Sequence, residues 1–369
     1  MRLLIATDSA PPIIDGLSSF LAETLPLLAK RHELALIAPE GTLRFGRFEL
    51  VEIPLSRFKV GGYVLANFRS DVIAREVARA DVVLSHSLGP IGGLAILKAR
   101  KAAKPLVAYV HSLLWRAAPN PVLKLAAWAL SGWLYAKCDL LIAPSRYAEL
   151  ELRRLVNTKI ARVEPGVDSV RFRPPRSKDA AKAVLGLDGF VVGYVGRLSD
   201  EKELSTLARA FEQLRRDRAE ARLVMVGNGS RRMKRVISAL PGGIAVGPVR
   251  DPLQWYQALD AFVLPSKTEG ACLALLEALA CGVPIIATPV GLAPQLIKQG
   301  RNGWFIPHKD SGALATKLAE LAAMGEAERA KISRAARAAV SALSWSATAS
   351  ALERVLESLT GSERKANYL

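Results

Sequence analysis

Two glutamates eight positions apart, Glu269 and Glu277, lie in the run Thr268-Glu-Gly-Ala-Cys-Leu-Ala-Leu-Leu-Glu277. The apolar stretch Ala261-Phe-Val-Leu-Pro265 before them predicts a strand. The alanine- and leucine-rich stretch after them predicts a helix that ends at Gly282-Val-Pro284. A strand, turn and helix in this order bring Glu269 and the backbone N–H groups of Gly270, Ala271 and Cys272 to a helix N-terminus. Such a place favours anions and hydroxyl-rich ligands. Glu277 falls about two turns further along the helix and is the only charge between Gly270 and Lys298. A lone carboxylate among apolar residues is costly without a partner, which makes it a candidate ligand group.

A cationic counterpart follows the strand Val191–Val195, in Gly196-Arg-Leu-Ser-Asp-Glu-Lys202. Gly196 permits close approach of a ligand. Arg197, a fork donor, and Lys202, a point charge, together suit a diphosphate. The competing reading is a solvated turn with surface ion pairs to Asp200 and Glu201. The glutamate-bearing helix mouth later in the same half favours the phosphate. Val226-Gly-Asn-Gly229 opens another helix after another strand, so Gly227 can lie against a phosphate or nucleoside, or simply make a tight turn. The third glycine of the dinucleotide fingerprint is missing.

In the first half, Pro11-Pro-Ile-Ile-Asp-Gly16 follows the first strand, and Gly16 could let the backbone touch a sugar or phosphate. His111 ends the strand Leu106–Val110 and so points to the same sheet edge. His86 and Ser145 also sit at strand ends and read as turn residues or site lining. The segment 113–137 holds three of the six tryptophans and contains Arg116, Lys124 and Lys137 but no acid. Basic residues mixed with aromatics suit a membrane interface or a greasy acceptor groove. The alternative is a core helix, and the spacing of Trp128 and Trp133 is compatible with burial on several sides.

The elements that must position these groups alternate. Strands are expected at Leu3–Thr7, Leu34–Ala38, Val82–Ser85, Leu106–His111 and Leu140–Pro144, then at Val191–Val195, Arg222–Val226, Ile244–Val246, Ala261–Leu264 and Ile285–Thr288. Helical patterns such as Ser18–Lys30, Ser70–Ala78, Glu203–Arg218 and Ala271–Ala280 separate them. This is the pattern of two doubly wound, Rossmann-like α/β domains, whose ligands bind at the carboxyl ends of the strands. The expected division is an N-terminal domain over 1–170, a Pro- and Arg-rich linker over 171–177 and a C-terminal domain over 178–344. A last helix over 345–360 packs back on the N-terminal domain, and the polar tail Gly361–Leu369 frays.

The chain of 369 residues is half hydrophobic, so each domain can bury a full core. Its three cysteines form no disulfide framework and, with four scattered histidines, no metal-ligand spacing. A formal net charge of +17, spread over both halves, attracts phosphates of nucleotides or anionic lipids. Aromatics are only 6% and no nucleic-acid motif is present, so nucleic acid is not expected as a partner. The N-terminus is too short in apolar residues for a signal peptide, and no apolar run reaches the length of a membrane span. A cytoplasmic protein is expected, with the inner membrane face as a docking surface.

Together these motifs resemble the retaining, nucleotide-sugar-dependent glycosyltransferases of family 4, with the GT-B architecture of two Rossmann-like domains facing a central cleft. The resemblance covers nearly the whole chain and is most specific from Gly166 to Ile306. It implies that Arg197 and Lys202 hold the donor diphosphate. Glu269 would bind hydroxyls of the transferred hexose beside the N–H groups of Gly270, Ala271, Cys272 and Leu273. Glu277 would bind the ribose. Gly16 would approach the phosphates, and His111 would contact the sugar near the reacting carbon. Such enzymes need no metal or cofactor, the nucleotide sugar being a substrate. The sequence departs from the family pattern at Pro165, where asparagine is usual, at the single glycine of Asp15-Gly16, and at Gln295, where glutamate is frequent. A lipid, lipid-linked glycan or polysaccharide is the expected acceptor. A sugar-nucleotide epimerase on the same fold and a non-catalytic nucleotide or glycan binder are the alternatives.

Overall fold

The computed structural model describes residues 1–60 and 63–360; the tail Gly361–Leu369 lies outside them. The chain forms two compact units. The first is residues 1–165 together with the stretch from Trp345 onward, and the second is Gly166–Ser344.

In the first unit, β1 (Arg2–Ala6) leads to α1 (Gly16–Leu28), β2 (Glu33–Pro39) and β3 (Glu49–Ile53). A hairpin of β4 (Leu55–Val60) and β5 (Tyr63–Ala66) comes next. It is followed by α2 (Ser70–Arg79), β6 (Val82–Ser85), α3 (Pro90–Lys101), β7 (Leu106–Tyr109), α4 (Leu114–Ala117), α5 (Pro121–Tyr135), β8 (Leu140–Ala143), α6 (Arg146–Leu155) and β9 (Lys159–Arg162). The strands assemble in the order β3-β2-β1-β6-β7-β8-β9, all parallel. The central strands are buried on both faces, and for that reason they read as continuous apolar runs. On one face, Ile73, Ile91, Ile96, Leu134 and Leu152 pack from α2, α3, α5 and α6. On the other, Phe20, Leu21 and Leu25 of α1 pack against Leu3, Ile5 and Leu36.

Asp8, just past β1, pins the sheet edge. Its carboxylate accepts from the N–H groups of Ile91 and Gly92 at the start of α3 and from Ser87 Oγ. Burial pushes its pKa up despite these donors.

The second unit runs through α7 (Lys178–Val184), β10 (Val191–Val195), a 3-10 turn (Asp200–Lys202), α8 (Leu204–Asp217), β11 (Arg222–Val226), α9 (Arg231–Ala239), β12 (Gly243–Gly247), α10 (Leu253–Ala258) and β13 (Ala261–Leu264). It continues with α11 (Leu273–Ala280), β14 (Ile285–Ala287), α12 (Ala293–Leu296), β15 (Gly303–Phe305), α13 (Ser311–Ala323) and α14 (Glu326–Ala339). Its parallel sheet has the order β12-β11-β10-β13-β14-β15. The order reverses direction between β10 and β13, so the turns after these two strands lie side by side at a topological switch point.

The last helix, α15 (Trp345–Glu357), belongs to the first unit. Leu352 and Leu356 enter the core beside α1, and Glu353 accepts from Arg31 and contacts His32 Nε2 at 3.0 Å. The boundary between the units falls at Pro165/Gly166 and not within the expected linker 171–177. Val167 and Phe172 are buried in the core of the second unit, so the Pro- and Arg-rich stretch is fixed to it.

Candidate active site

The switch point of the second unit gathers most of the expected residues. Lys202 ends the 3-10 turn after β10, and Glu269 lies in the turn after β13. The Lys202 ammonium reaches both carboxylate oxygens, at 2.7 and 2.8 Å, and Ser266 Oγ donates to Oε1 at 2.7 Å. The pair is largely sealed, with side-chain exposures of 16% for Lys202 and 8% for Glu269. Burial alone would lower the lysine pKa. Attraction to Glu269 outweighs it and raises the value, so the ammonium stays charged. Breaking a buried pair of this kind typically costs about 3–5 kcal/mol, because the remaining charge is left without compensation.

Arg197 stands in the same turn but is half-exposed, with Nη2 3.0 Å from Glu201 Oε1. The expected surface ion pair is therefore present at Glu201. Burial raises the Glu201 pKa, but Ser199 Oγ, Arg197 and Lys202 together bring it below its ordinary value. Glu201 thus lies within the field of both cations and couples them. Its carbonyl also accepts from Lys267 N at 2.8 Å, tying the turn after β10 to the turn after β13.

The glycines have a local reason. A Cβ at Gly227 (φ 147°) would lie 1.9 Å from the Gly196 carbonyl oxygen, and one at Gly229 (φ 138°) 2.4 Å from that of Leu198. Leu198 N donates to Asn228 O, and Ser230 N to Leu198 O. The close approach that requires glycine at 227 and 229 is therefore to the neighbouring turn, which stacks directly on the loop bearing Arg197. Gly196 (φ 148°) completes the arrangement, and Tyr194 OH beneath it donates to Arg197 O.

The helix bearing the second glutamate begins at Leu273, two residues later than the expected Ala271. Cys272 occupies the cap position in the left-handed region (φ 76°), a strained conformation for a side chain of this type. Gly291 holds the turn from behind, where a Cβ would meet Ala271 O at 2.7 Å and Glu269 Cβ at 2.9 Å. Glu277, half-buried, accepts from Tyr256 OH at 2.7 Å. The Cys272 thiol feels the charges of Glu269, Lys202 and Glu277 and so sits among them. Burial pushes its pKa up, which keeps it a protonated thiol rather than a nucleophile.

Lys202, Glu269, Cys272 and Glu277 thus converge, with Gly270, Ala271 and Leu273 in the connecting turn. Sequence reasoning missed Ser266, Tyr256 and Gly291 as parts of the site, and read Glu201 only as a surface ion-pair partner. Ser266 could have been noticed as a hydroxyl at a strand end. Tyr256 and Gly291 carry no local signal.

In the first unit, Gly16 is the first residue of α1, two residues earlier than expected, because Asp15 caps the helix. The Asp15 carboxylate accepts from Ser18 N and Ser9 Oγ, so this helix end already holds an anion. A Cβ on Gly16 would meet nothing within 4 Å. His111 is half-buried past the end of β7. Its Nε2 lies 2.8 Å from His86 Nδ1, and its ring stacks on Tyr109 at 4.4 Å and meets Phe20 edge-on at 4.9 Å. His86 is therefore a partner of His111 rather than a plain turn residue. Ser145 caps α6 through Ala148 N.

His32, Glu353 and Glu357 place ligand atoms within 4.8 Å of one another. Arg31 also binds Glu353, so the arrangement works as an ion-pair clasp between the turn after α1 and α15.

The exposure of α5 goes against the core-helix alternative for this segment. Val122, Leu123, Leu125, Trp128, Leu130 and Trp133 are all exposed, and only Ser131, Leu134 and Tyr135 are buried. Lys137 Nζ lies 4.5 Å from the centre of the Trp133 ring. Among the described residues, no helix is long and apolar enough to cross a membrane.

Two glycine-bearing turns, two cations and two carboxylates gather at the switch point of a Rossmann-like sheet, where the ligands of such sheets bind, and comparison with known proteins gives the class. Residues 14–171 match the model of Glycosyltransferase Family 4, and residues 189–324 match that of Glycosyl transferases group 1. The chain is 31% identical over 339 residues to D-inositol 3-phosphate glycosyltransferase 2 of Catenulispora acidiphila, covering 80% of this chain and 76% of the relative. It is 28% identical over 361 residues to a GDP-mannose-dependent alpha-mannosyltransferase of Mycobacterium tuberculosis, covering 94% and 93%. The crystal structure of Anabaena HepE with UDP and glucose superposes with a TM-score of 0.79 at 19% identity, covering 97% of this chain and 99% of that one. The chain belongs to the family 4 glycosyltransferases and has the GT-B fold.

Proposed function

We propose that this glycosyltransferase moves a hexose, with retention of configuration and without a metal ion, from a nucleoside-diphosphate sugar to a lipid, lipid-linked glycan or polysaccharide acceptor. The observation that carries the reading is the buried Lys202–Glu269 pair at the switch point, with Glu277 on the helix that follows. A donor diphosphate competes for the Lys202 ammonium and for Arg197. As it takes them, the Glu269 carboxylate is freed to accept hydrogen bonds from sugar hydroxyls. When the bond from the sugar to the diphosphate breaks, the two cations stabilise the charge that develops on the leaving phosphate. Glu277, held by Tyr256, suits the paired hydroxyls of a ribose. Gly16 and His111 of the first unit are carried over from the family resemblance as candidate substrate-contacting residues.

The relatives named for GDP-mannose make it the first donor to test. Purified protein is incubated with GDP-mannose or UDP-glucose and a membrane lipid extract, and nucleotide release and labelled product are followed. Acceptor-dependent release supports transfer. Conversion of the sugar without acceptor would replace the reading with an epimerase, and binding without turnover would replace it with a binding protein.

An acceptor at a membrane surface is favoured by α5. Its exposed leucines and tryptophans lie in a segment that carries Arg116, Lys124 and Lys137 and has no acid between residues 112 and 138. That combination suits an anionic interface, such as the cytoplasmic face of a membrane.

A further inference from the structure

His86 and His111 stand at the carboxyl ends of two adjacent strands, β6 and β7, which pair through Ser85 and Ala108. Their rings meet at 2.8 Å, His86 Nδ1 to His111 Nε2. Both lie in an aromatic cage formed by Phe20 and Tyr109. Burial pulls the His86 pKa down to about 3, and burial together with His86 holds His111 well below its ordinary value. Both rings are therefore neutral, each carrying one N–H and one bare nitrogen.

Between two neutral imidazoles only one can donate, and the surroundings decide which. His86 Nε2 is buried without a hydrogen-bond partner, whereas His111 Nδ1 is not among the sealed, unpartnered atoms. If His111 donated through Nε2–H, His86 would carry its own proton on Nε2. That would leave a buried N–H with no acceptor, and such orphan donors are rare. If His86 donates through Nδ1–H, the atom left over is only a bare lone pair. His111 then carries its proton on Nδ1.

We infer that His86 is a positioning residue that donates its Nδ1–H to His111 Nε2 and so fixes His111 as the Nδ1–H tautomer, a hydrogen-bond donor toward an oxygen of the bound substrate. On this assignment His111 does not act as a general base; it orients a sugar hydroxyl or a phosphate oxygen. The substrate-facing part rests on the glycosyltransferase reading above. The direction of the hydrogen bond does not.

The test is long-range proton–nitrogen NMR of the full chain labelled at its four histidines, near neutral pH, with assignment by single substitutions. In the wild type, both His86 and His111 should show a protonated Nδ1 and a bare Nε2. In His86→Phe, which fills the cage but cannot donate, His111 should shift toward the Nε2–H form. The kcat/KM for donor should fall about tenfold, the value of one neutral hydrogen bond, mainly through KM. His86→Asn, whose amide N–H can replace Nδ1–H, should restore the Nδ1–H form of His111 and most of the activity. A wild-type His111 protonated at Nε2, or a His111 tautomer unchanged in His86→Phe, would overturn the inference. The wild-type spectrum decides alone if the phenylalanine variant does not fold. Correct tautomers in a protein that transfers no sugar would count against the enzymatic reading and leave the direction of the hydrogen bond standing.

Discussion

Lys202 and Glu269 satisfy each other, and this sets how their variants should behave. Glu269→Gln keeps the shape and the Ser266 contact but leaves the largely buried Lys202 ammonium without its counter-charge, so it should lose about 3 kcal/mol of stability by urea unfolding while remaining folded. Its kcat/KM should fall by about 100-fold or more, the usual scale for losing an electrostatic anchor of the transition state. Lys202→Met leaves the Glu269 charge buried with Ser266 as its remaining side-chain donor. It should lose activity to a similar extent and also lose about 3 kcal/mol of stability by urea unfolding. Near-wild-type turnover in Glu269→Gln would remove this residue from the site.

His86 makes a separate prediction about pH. Its pKa is about 3 in the folded protein and near 6.5 when unfolded, so the unfolded chain binds more protons between those values. Its contribution to stability is complete above about pH 6.5 and is lost as pH falls toward 3. Asp8, shifted upward, acts in the opposite direction. Urea unfolding at pH 7 and pH 4.5 should show a smaller loss of stability in His86→Phe than in wild type. An unchanged difference would contradict the burial argument.

The elements explain why some of this was legible in the amino-acid order and some was not. Strands such as Val191–Val195 and Ala261–Leu264 are buried on both faces and leave uninterrupted apolar runs. The strands Glu49–Ile53 and Lys159–Arg162 lie at sheet edges and mix charges with apolar residues, while Gly303–Phe305 is only three residues long. They went unread for those reasons. The individual candidate residues stood out because they sit just past strand ends. Their pairing did not, since Lys202 and Glu269 are 67 positions apart and His86 and His111 are 25 apart. Only the sheet order, which folds the turns after β10 and β13 together, supplies that information. The stacked glycine turns give a test at this scale. Gly227→Ala drives a methyl into the Gly196 carbonyl, and should cost about 2 kcal/mol or more and weaken donor binding, read by thermal melts with and without nucleotide. The exposed helix α5 should behave in the opposite way. Leu125→Ser with Trp128→Ser should change stability by less than about 0.5 kcal/mol while abolishing co-sedimentation with anionic vesicles. Unchanged vesicle binding would reject a membrane role for this helix, and loss of a dimer in the variant would reassign the surface to self-association.

At the scale of the whole molecule, the chain closes on its first unit through α15, whose Leu352 and Leu356 complete the core beside α1 and whose Glu353 clasps Arg31 and His32. The first unit is therefore built from both ends of the described chain, while the donor-binding loops proposed here belong to the second. The central claim is that Lys202, Arg197, Glu269 and Glu277 of that second unit hold one activated sugar. The most direct measurement is calorimetric titration of the wild type and of Glu269→Gln with GDP-mannose and with GDP alone. The account predicts that the wild type binds the nucleotide sugar more tightly than the bare nucleotide, and that Glu269→Gln loses this difference while still binding GDP. Equal affinities of wild type and variant for the nucleotide sugar would contradict it.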